Sequence, residues 1–483
     1  MKPCSIIFII ATFITSSEAN SSTLNFTHFL KVFKEKNPDL ISAQNQAYAT
    51  QLRSNSIYSL LIPTLNYGIS ELKTQPIPSP LLNYDLSKTK VQSVGINGNI
   101  PQLGMSYASN LYSLSDSRFF DGNDKTSESI SGLVDFGLSM KLLKGFGPSV
   151  GSIPFEQADL NKKISNLQKK NTLLTGVGRL IEAYNNVFAS LNNLKISKSI
   201  LQSNDNDVKK AEKQHKEGLI PYLSLLTLKS QNTGLKKNII NQMRSLRDNI
   251  LSLYNLTGEK WEISEIEAIE ITRIEMPDEF QNKINQWLEP GKVDPTKTNP
   301  EILIKKSNLT LSELDLNKAR NNILPDLSLN AKYTKNSDRR GDYFPNKGDS
   351  QELSINFTMP IGMVSERAEA SAKSLELKAK QNDLEVSLLR VKQDWDNLGQ
   401  QFKLSLEQLS MAKELVEVAK KQYDSALPTA TLGPTYQANI INFQNQLLTA
   451  QLDLNQSEAE LLNLMIKIYV IKGDATFIRF LDK

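Results

Sequence analysis

Cysteine is almost missing from this chain: Cys4 is the only one in 483 residues. No disulfide framework can be built from it. It precedes an apolar core instead of following it, the wrong side for a lipid-modified cysteine. Histidine is nearly as scarce, with His28 and His215 far apart. Without a Cys or His cluster a transition-metal site is not expected. Neither sign of charge is in excess. Lys and Arg number 56 against 52 Asp and Glu, so no nucleic-acid or polyanion partner is implied. Past the first residues no apolar run is long enough to span a membrane as a helix. The chain also lacks a phosphate loop, a Ser/His/Asp arrangement and paired acids at a defined turn. Neither enzymatic activity nor a cofactor is therefore expected, and the many carboxylates on helical stretches read as solvated faces.

Residues 1–19 read as a secretory signal. Lys2 is the basic start, Ile6 to Ile14 the apolar core and Ser17-Glu18-Ala19 the small-residue cleavage site. Cleavage there would remove Cys4 as well.

What the chain does contain is itself, twice. Residues 37–72 align with 299–334 at a constant offset and without a gap. Asn37 and Asn299, Pro38 and Pro300, Leu52 and Leu314, Asn55 and Asn317, Pro63 and Pro325, and Leu65 and Leu327 are identical pairs. Such self-similarity marks an internal duplication. In each copy an Asn-Pro pair opens a helix, where the missing proline N–H costs nothing. A second proline then stops it by pushing the preceding residue toward extended geometry. After Pro325 the period becomes two: Leu327, Leu329, Ala331 and Tyr333 share one face, and Ser328, Asn330, Lys332 and Thr334 the other. A helix feeding directly into a strand of about ten residues matches the length of a tilted membrane β-strand.

Along the chain, Phe26, Phe29, Leu30 and Phe33 mark a short packing helix. A strand is expected from Thr64 to about Leu72, followed by a loop holding Pro76, Pro78 and Pro80. Residues 91–114 alternate again around a turn near Pro101 to Gly104, while 115–130 look polar and turn-like. Val134, Phe136, Leu138, Met140 and Leu142 form a further strand, set against Asp135, Gly137 and Ser139. Gly145, Gly147 and Pro148 break the chain. A long helix then runs from about Pro154 to Glu217, roughly 90 Å of helix. Leu173, Val177, Leu180, Tyr184, Val187, Leu191 and Leu194 recur at coiled-coil spacing on it. Leu160, Ile164, Leu167, Leu174, Ile181 and Phe188 trace a second stripe, so this helix has neighbours on two sides. Gly218-Leu219-Ile220-Pro221 ends it, and a return helix closes at Gly258. The second copy repeats the plan. Leu353, Ile355, Phe357 and Met359 form the partner strand, with Ser354 and Asn356 opposite. Leu384 to Tyr423 carries a second seam through Trp395 and Phe402, Leu427-Pro428 breaks it, and a return helix reaches Gly473. The first copy is longer between strand and helix break by about one hairpin, the one at 91–114. It can enlarge a barrel or sit as an extracellular loop, and a loop or plug is the reading favoured here.

Taken in order and duplicated, these features resemble the TolC family of outer-membrane efflux proteins. The Asn-Pro-Asp and Asn-Pro-Glu helix starts, the helix ends before Pro63 and Pro325, the Leu142-Leu143-Lys144-Gly145-Phe146-Gly147 strand exit and the Gly218-Leu219 turn carry the resemblance. It covers nearly the whole chain after the signal. It implies a mainly α fold with a membrane β portion: long antiparallel helical hairpins forming an α-barrel tunnel, joined to a trimeric transmembrane β-barrel. The segments would be 1–19 signal, 20–62 periplasmic helices, 63–145 barrel strands and loops, 146–258 long hairpin and 259–298 an equatorial connector. The second repeat would follow as 299–324 helix, 325–361 strands, 362–473 long hairpin and 474–483 tail. Independently, four to six strands per chain are too few to close a membrane barrel, so the strands must close by oligomerising.

The implied function is a passive exit duct of a tripartite efflux or type I secretion system, in the outer membrane of a Gram-negative cell and extending into the periplasm. The implied partners are two further copies in a homotrimer, outer-membrane lipid, a periplasmic adaptor of the membrane-fusion type and an inner-membrane pump of RND or ABC type. The alternative is a coiled-coil structural or adhesive protein of the cell envelope without a pore. The docking tips would be Gly218, Leu219, Ile220, Pro221, Leu427, Pro428 and Thr429. The barrel lumen would be lined by Ser328, Asn330, Ser354 and Asn356. Family members often carry acidic residues just after the Gly-Leu turn. Tyr222 to Thr227 holds no carboxylate, nor does the stretch between Asp424 and Asp453, so an acidic ring at the tip is not expected here.

Overall fold

The computed structural model describes residues 23–75, 86–120, 124–258, 270–337, 348–428 and 434–481. The expected signal at 1–19, the prolines at 76, 78 and 80, and residues 429–433 of the second helix break, Thr429 included, lie outside the described residues. In chain order the elements begin with β1 (Thr23–Leu24), α1 (Phe26–Lys36), α2 (Pro38–Ser56), β2 (Thr64–Thr74), β3 (Leu86–Ile100), β4 (Met105–Phe120) and β5 (Asp124–Lys141). Then come α3 (Pro148–Gly151), α4 (Ile153–Lys216), α5 (Tyr222–Thr257), β6 (Glu270–Ile271), α6 (Asp278–Trp287) and α7 (Pro300–Asn322). The chain closes with β7 (Asp326–Ser337), β8 (Asp349–Thr358), α8 (Val364–Ala426), α9 (Pro434–Lys472) and α10 (Thr476–Leu481). It divides into two compact units, one of residues 1–41, 173–295 and 393–483, the other of 42–172 and 296–392.

The duplicated Asn-Pro starts make the same cap. Asn37 Oδ1 accepts the Leu40 N–H at 2.9 Å, and Asn299 Oδ1 accepts the Ile302 N–H at 3.2 Å. Each asparagine satisfies one of the amide donors that a helix start leaves free. The proline after it gives up only a donor that has no partner there.

The first unit is mainly helical, with β1 and β6 paired in parallel, and its core follows the heptad seams. Val177, Leu180, Tyr184, Val187 and Leu191 of α4 are buried, as are Val391, Trp395, Phe402 and Ala412 along the α8 seam. Only Val391 of these belongs to the other unit. Phe26, Phe29, Leu30 and Phe33 of α1 enter the same core, Phe26 and Phe29 edge-on to Tyr184. Buried asparagines interleave the leucines. Asn185 Nδ2 donates to the Ala459 carbonyl at 2.9 Å, and Asn455 Nδ2 to the Ala189 carbonyl at 2.8 Å. An apolar seam tolerates a slide by one turn, whereas these bonds are satisfied in one register only.

The second unit holds a six-stranded antiparallel sheet in the order β2-β3-β4-β5-β7-β8. Two expectations need correction. Residues 115–130 are not a turn: β4 runs to Phe120 and β5 starts at Asp124. The hairpin at 91–114 is not a loop or plug either, because β3 and β4 are strands of the sheet itself. These strands hold 15, 16 and 18 residues in β3, β4 and β5, well beyond the expected ten. The sequence signal fails at their outer ends because both faces are polar there. Lys88 and Lys90 pair with Ser117 and Ser115 on one side, and Thr89 with Asp116 on the other. A strand wet on both faces has no alternation to read.

Candidate functional site

Directly paired residues of neighbouring strands point to the same side of a sheet. The register therefore sorts every strand residue onto one of two faces. One face is apolar: Leu327 pairs with Phe357, Leu329 with Ile355, and Val94 with Leu111 and in turn Val134. Its large side chains stand in the open, Leu353 at 74% and Leu65 at 72% exposure. The other face is polar. It gathers all four of the expected lining residues, Ser328 opposite Asn356 and Asn330 opposite Ser354.

The polar face also holds residues not singled out as lining from the sequence. The Asp135 carboxylate is buried among its partners. It accepts the Asn110 backbone N–H at 3.1 Å and the Asn110 side-chain amide at 2.9 Å, with Lys332 Nζ 3.4 Å away. Three strands are thereby cross-linked by side chains. Asp116 likewise accepts hydroxyls from Ser87 at 2.9 Å and Thr89 at 3.0 Å. The alternation placed Asp135 and Lys332 on the polar sides of their strands, but their meeting depends on the β5–β7 register, which no local pattern encodes.

The two helix breaks differ in detail. Gly218 takes φ +75, the left-handed geometry that ends a helix. Leu219 next to it is 61% exposed, and Tyr222 and Leu223 stand out with it. Ile220, expected on the surface, is turned inward onto Ala211, Leu225 and Leu228. Its carbonyl lies 3.1 Å from His215 Nδ1, whose ring sits beside Tyr222. One apolar residue of the turn thus anchors it, and its neighbour stands in solvent. Further along the same helices Glu212 and Lys229 pair at 2.8 Å, which holds the carboxyl below and the ammonium above their usual ranges. A hydrogen bond from Asn232 does the same for the Asp205 carboxyl. At the second break Leu427 and Pro428 are exposed. Leu427 is half-open rather than extended far into solvent.

No protein-family model matches the sequence, and comparison with curated proteins returns no match. Solved structures do match. The outer-membrane channel OprN superposes with a TM-score of 0.65 at 13% identity, over 93% of this chain and 89% of that one. The outer membrane protein VceC from Vibrio cholerae gives 0.63 at 12% identity, over 93% and 96%. The Campylobacter jejuni CmeC outer membrane channel gives 0.62 at 13% identity, over 98% and 94%. The chain has the TolC-like outer-membrane channel fold. Among the described residues no helix is long and apolar enough to cross a membrane.

If the sheet crosses a membrane, water and lipid should divide its two faces. Cysteines introduced as Ser328→Cys and Asn356→Cys should react with a membrane-impermeant thiol reagent several-fold faster than Leu329→Cys and Phe357→Cys. Equal rates would show that the apolar face does not meet lipid.

Proposed function

We propose that this chain is one subunit of a homotrimeric outer-membrane channel-tunnel, the passive exit duct of a tripartite efflux or type I secretion system. The observation that carries this reading is the sorting of the sheet into an apolar and a polar face, within a TolC-like fold. In lipid every backbone polar group must be satisfied, so a sheet can cross only as a closed barrel. Among the described residues the sheet leaves β2 and β8 unpaired at its two edges, and its six strands fall below the smallest membrane barrel. Closure therefore needs further copies. The helical part supports association as well: Leu404, Met411, Leu415 and Val418 form an exposed apolar stripe along α8. Such a stripe is covered in a helical wall whose neighbour is another copy.

On this reading the strands lie in the outer membrane and the helical hairpins extend into the periplasm. The 64 residues of α4 amount to about 95 Å of helix, and α8 is nearly as long. The breaks at Gly218-Leu219 and Leu427-Pro428 then become the docking tips for a periplasmic adaptor and, through it, an inner-membrane pump. The polar face, with Ser328, Asn330, Ser354, Asn356 and the Asn110-Asp135-Lys332 cluster, lines the exit.

Purified protein should have a trimeric mass, migrate as a trimer on a gel unless boiled, and give stepwise conductance in a planar lipid bilayer. A monomer without conductance would overturn the channel.

A further inference from the structure

The two halves of the duplicated chain contribute unequally to the sheet. The second half supplies β7 and β8, paired directly with each other. In the first half β2 and β5 are their counterparts, but β3 and β4 stand between them. Three observations show how this hairpin is built in.

It is hydrogen-bonded along its length on both sides. β2 pairs with β3 from Thr64↔Asn97 to Thr74↔Ser87, and β4 with β5 from Met105↔Met140 to Phe120↔Asp124. It continues both faces of the sheet. Tyr67, Val94, Leu111 and Val134 are consecutive register neighbours on the apolar side, and Asn66, Gly95, Asn110 and Asp135 on the polar side. Its base is locked to the strand exit. Gly104 closes the turn at φ +64 with its carbonyl accepting the Lys141 N–H at 2.9 Å, and a Cβ added to Gly151 would lie 1.9 Å from the Pro101 carbonyl oxygen. A hairpin folded into the lumen would need none of these. In particular it would not carry large apolar residues in register with the outer band.

We propose that three copies close one barrel of eighteen strands, three sheets of six, with β8 of each copy pairing with β2 of the next. The hairpin then widens the exit instead of plugging it. This rests on the trimeric channel reading above. Direction permits the closure: consecutive strands of the sheet alternate, so its first and last strands run oppositely, and β8 of one copy meets β2 of another antiparallel. Barrel diameter grows roughly linearly with strand number. The exit would be about one and a half times as wide as the twelve-strand barrel that two strands from each half would make, with about twice the cross-section. A barrel of sixteen to eighteen strands leaves an aqueous channel, where a small one is filled by its own side chains. The barrel end is thereby suited to bulky polar solutes.

Disulfide trapping tests this. In a Cys4→Ser background, Asn66→Cys on β2 is combined in turn with Ser350→Cys, Ser354→Cys and Asn356→Cys on β8. In separate variants it is combined with Gly137→Cys or Ser139→Cys on β5. After oxidation of the full-length protein in membranes, at least one β2–β8 pair should give a covalent ladder ending at three chains. The β2–β5 pairs should give none, because two strands separate them. Bridges between β2 and β5 within a chain, or no β2–β8 bridge in a particle of trimeric mass, would overturn the proposal and leave the channel standing. A ladder ending at two chains would mean a twelve-strand dimer and would also overturn it. A protein of monomeric mass without conductance would remove the channel reading first and this proposal with it.

Discussion

Leu219→Asp combined with Leu427→Asp should abolish export while leaving the oligomer assembled in the outer membrane. Both leucines are exposed at helix breaks, at 61% and 45%, where a merely solvated turn would carry polar side chains. Neither belongs to the small core under the first break, which is closed by Ile220, Leu225 and Leu228. The turn should therefore survive the change. A docking surface should not, because its central apolar contacts carry most of the binding energy, and truncating one such contact costs about 2 kcal/mol or more. Two charges placed there should reduce adaptor crosslinking by well over tenfold and abolish export with it. The contrasting variant is Ile220→Asp, which puts a charge into the core of the turn and should lower the yield of assembled protein as well. Normal export by the Leu219→Asp, Leu427→Asp protein would show that these tips do not dock.

Trp395→Ala should cost about 3–5 kcal/mol per chain, the range for deleting a buried tryptophan or phenylalanine ring. Trp395 is 7% exposed and lies in the core that includes Tyr184, Phe402 and Tyr469. The loss should appear as a lower melting transition of the helical signal. Asp394→Ala, one residue away on the exposed side of α8, should leave that transition within error. If Trp395→Ala and Asp394→Ala melt alike, the seam does not hold the helix.

The sequence by itself determined the repeating parts of this protein. The duplication, the Asn-Pro helix starts, the strand that follows Pro325 and the seams through Tyr184 and Trp395 could all be read, because each is a local period or a local stop. Helix and strand periods depend only on which residues must leave water, and a burial pattern repeated over several turns survives any one ambiguous position. That Ser328, Asn330, Ser354 and Asn356 share the polar face was legible for the same reason, since alternation assigns a face without knowing the partner strand.

Tertiary structure alone decided the rest. The sequence does not say that β3 and β4 enter the sheet between β2 and β5, because an inserted hairpin has the same alternation in a wall as in a loop. The outer halves of β3 to β5 were invisible because water on both faces removes the alternation, and only pairing with a neighbour makes residues such as Lys88 and Thr89 a strand. Asp135 finds Asn110 and Lys332 through strand order, and Asn185 finds the Ala459 carbonyl through helix packing. Ile220 and Leu219 are adjacent and equally apolar, yet one faces the core and the other water. Which of them is left in solvent depends on the path of the backbone through Gly218. That path is set by how α4 and α5 pack, which is information the turn itself does not contain.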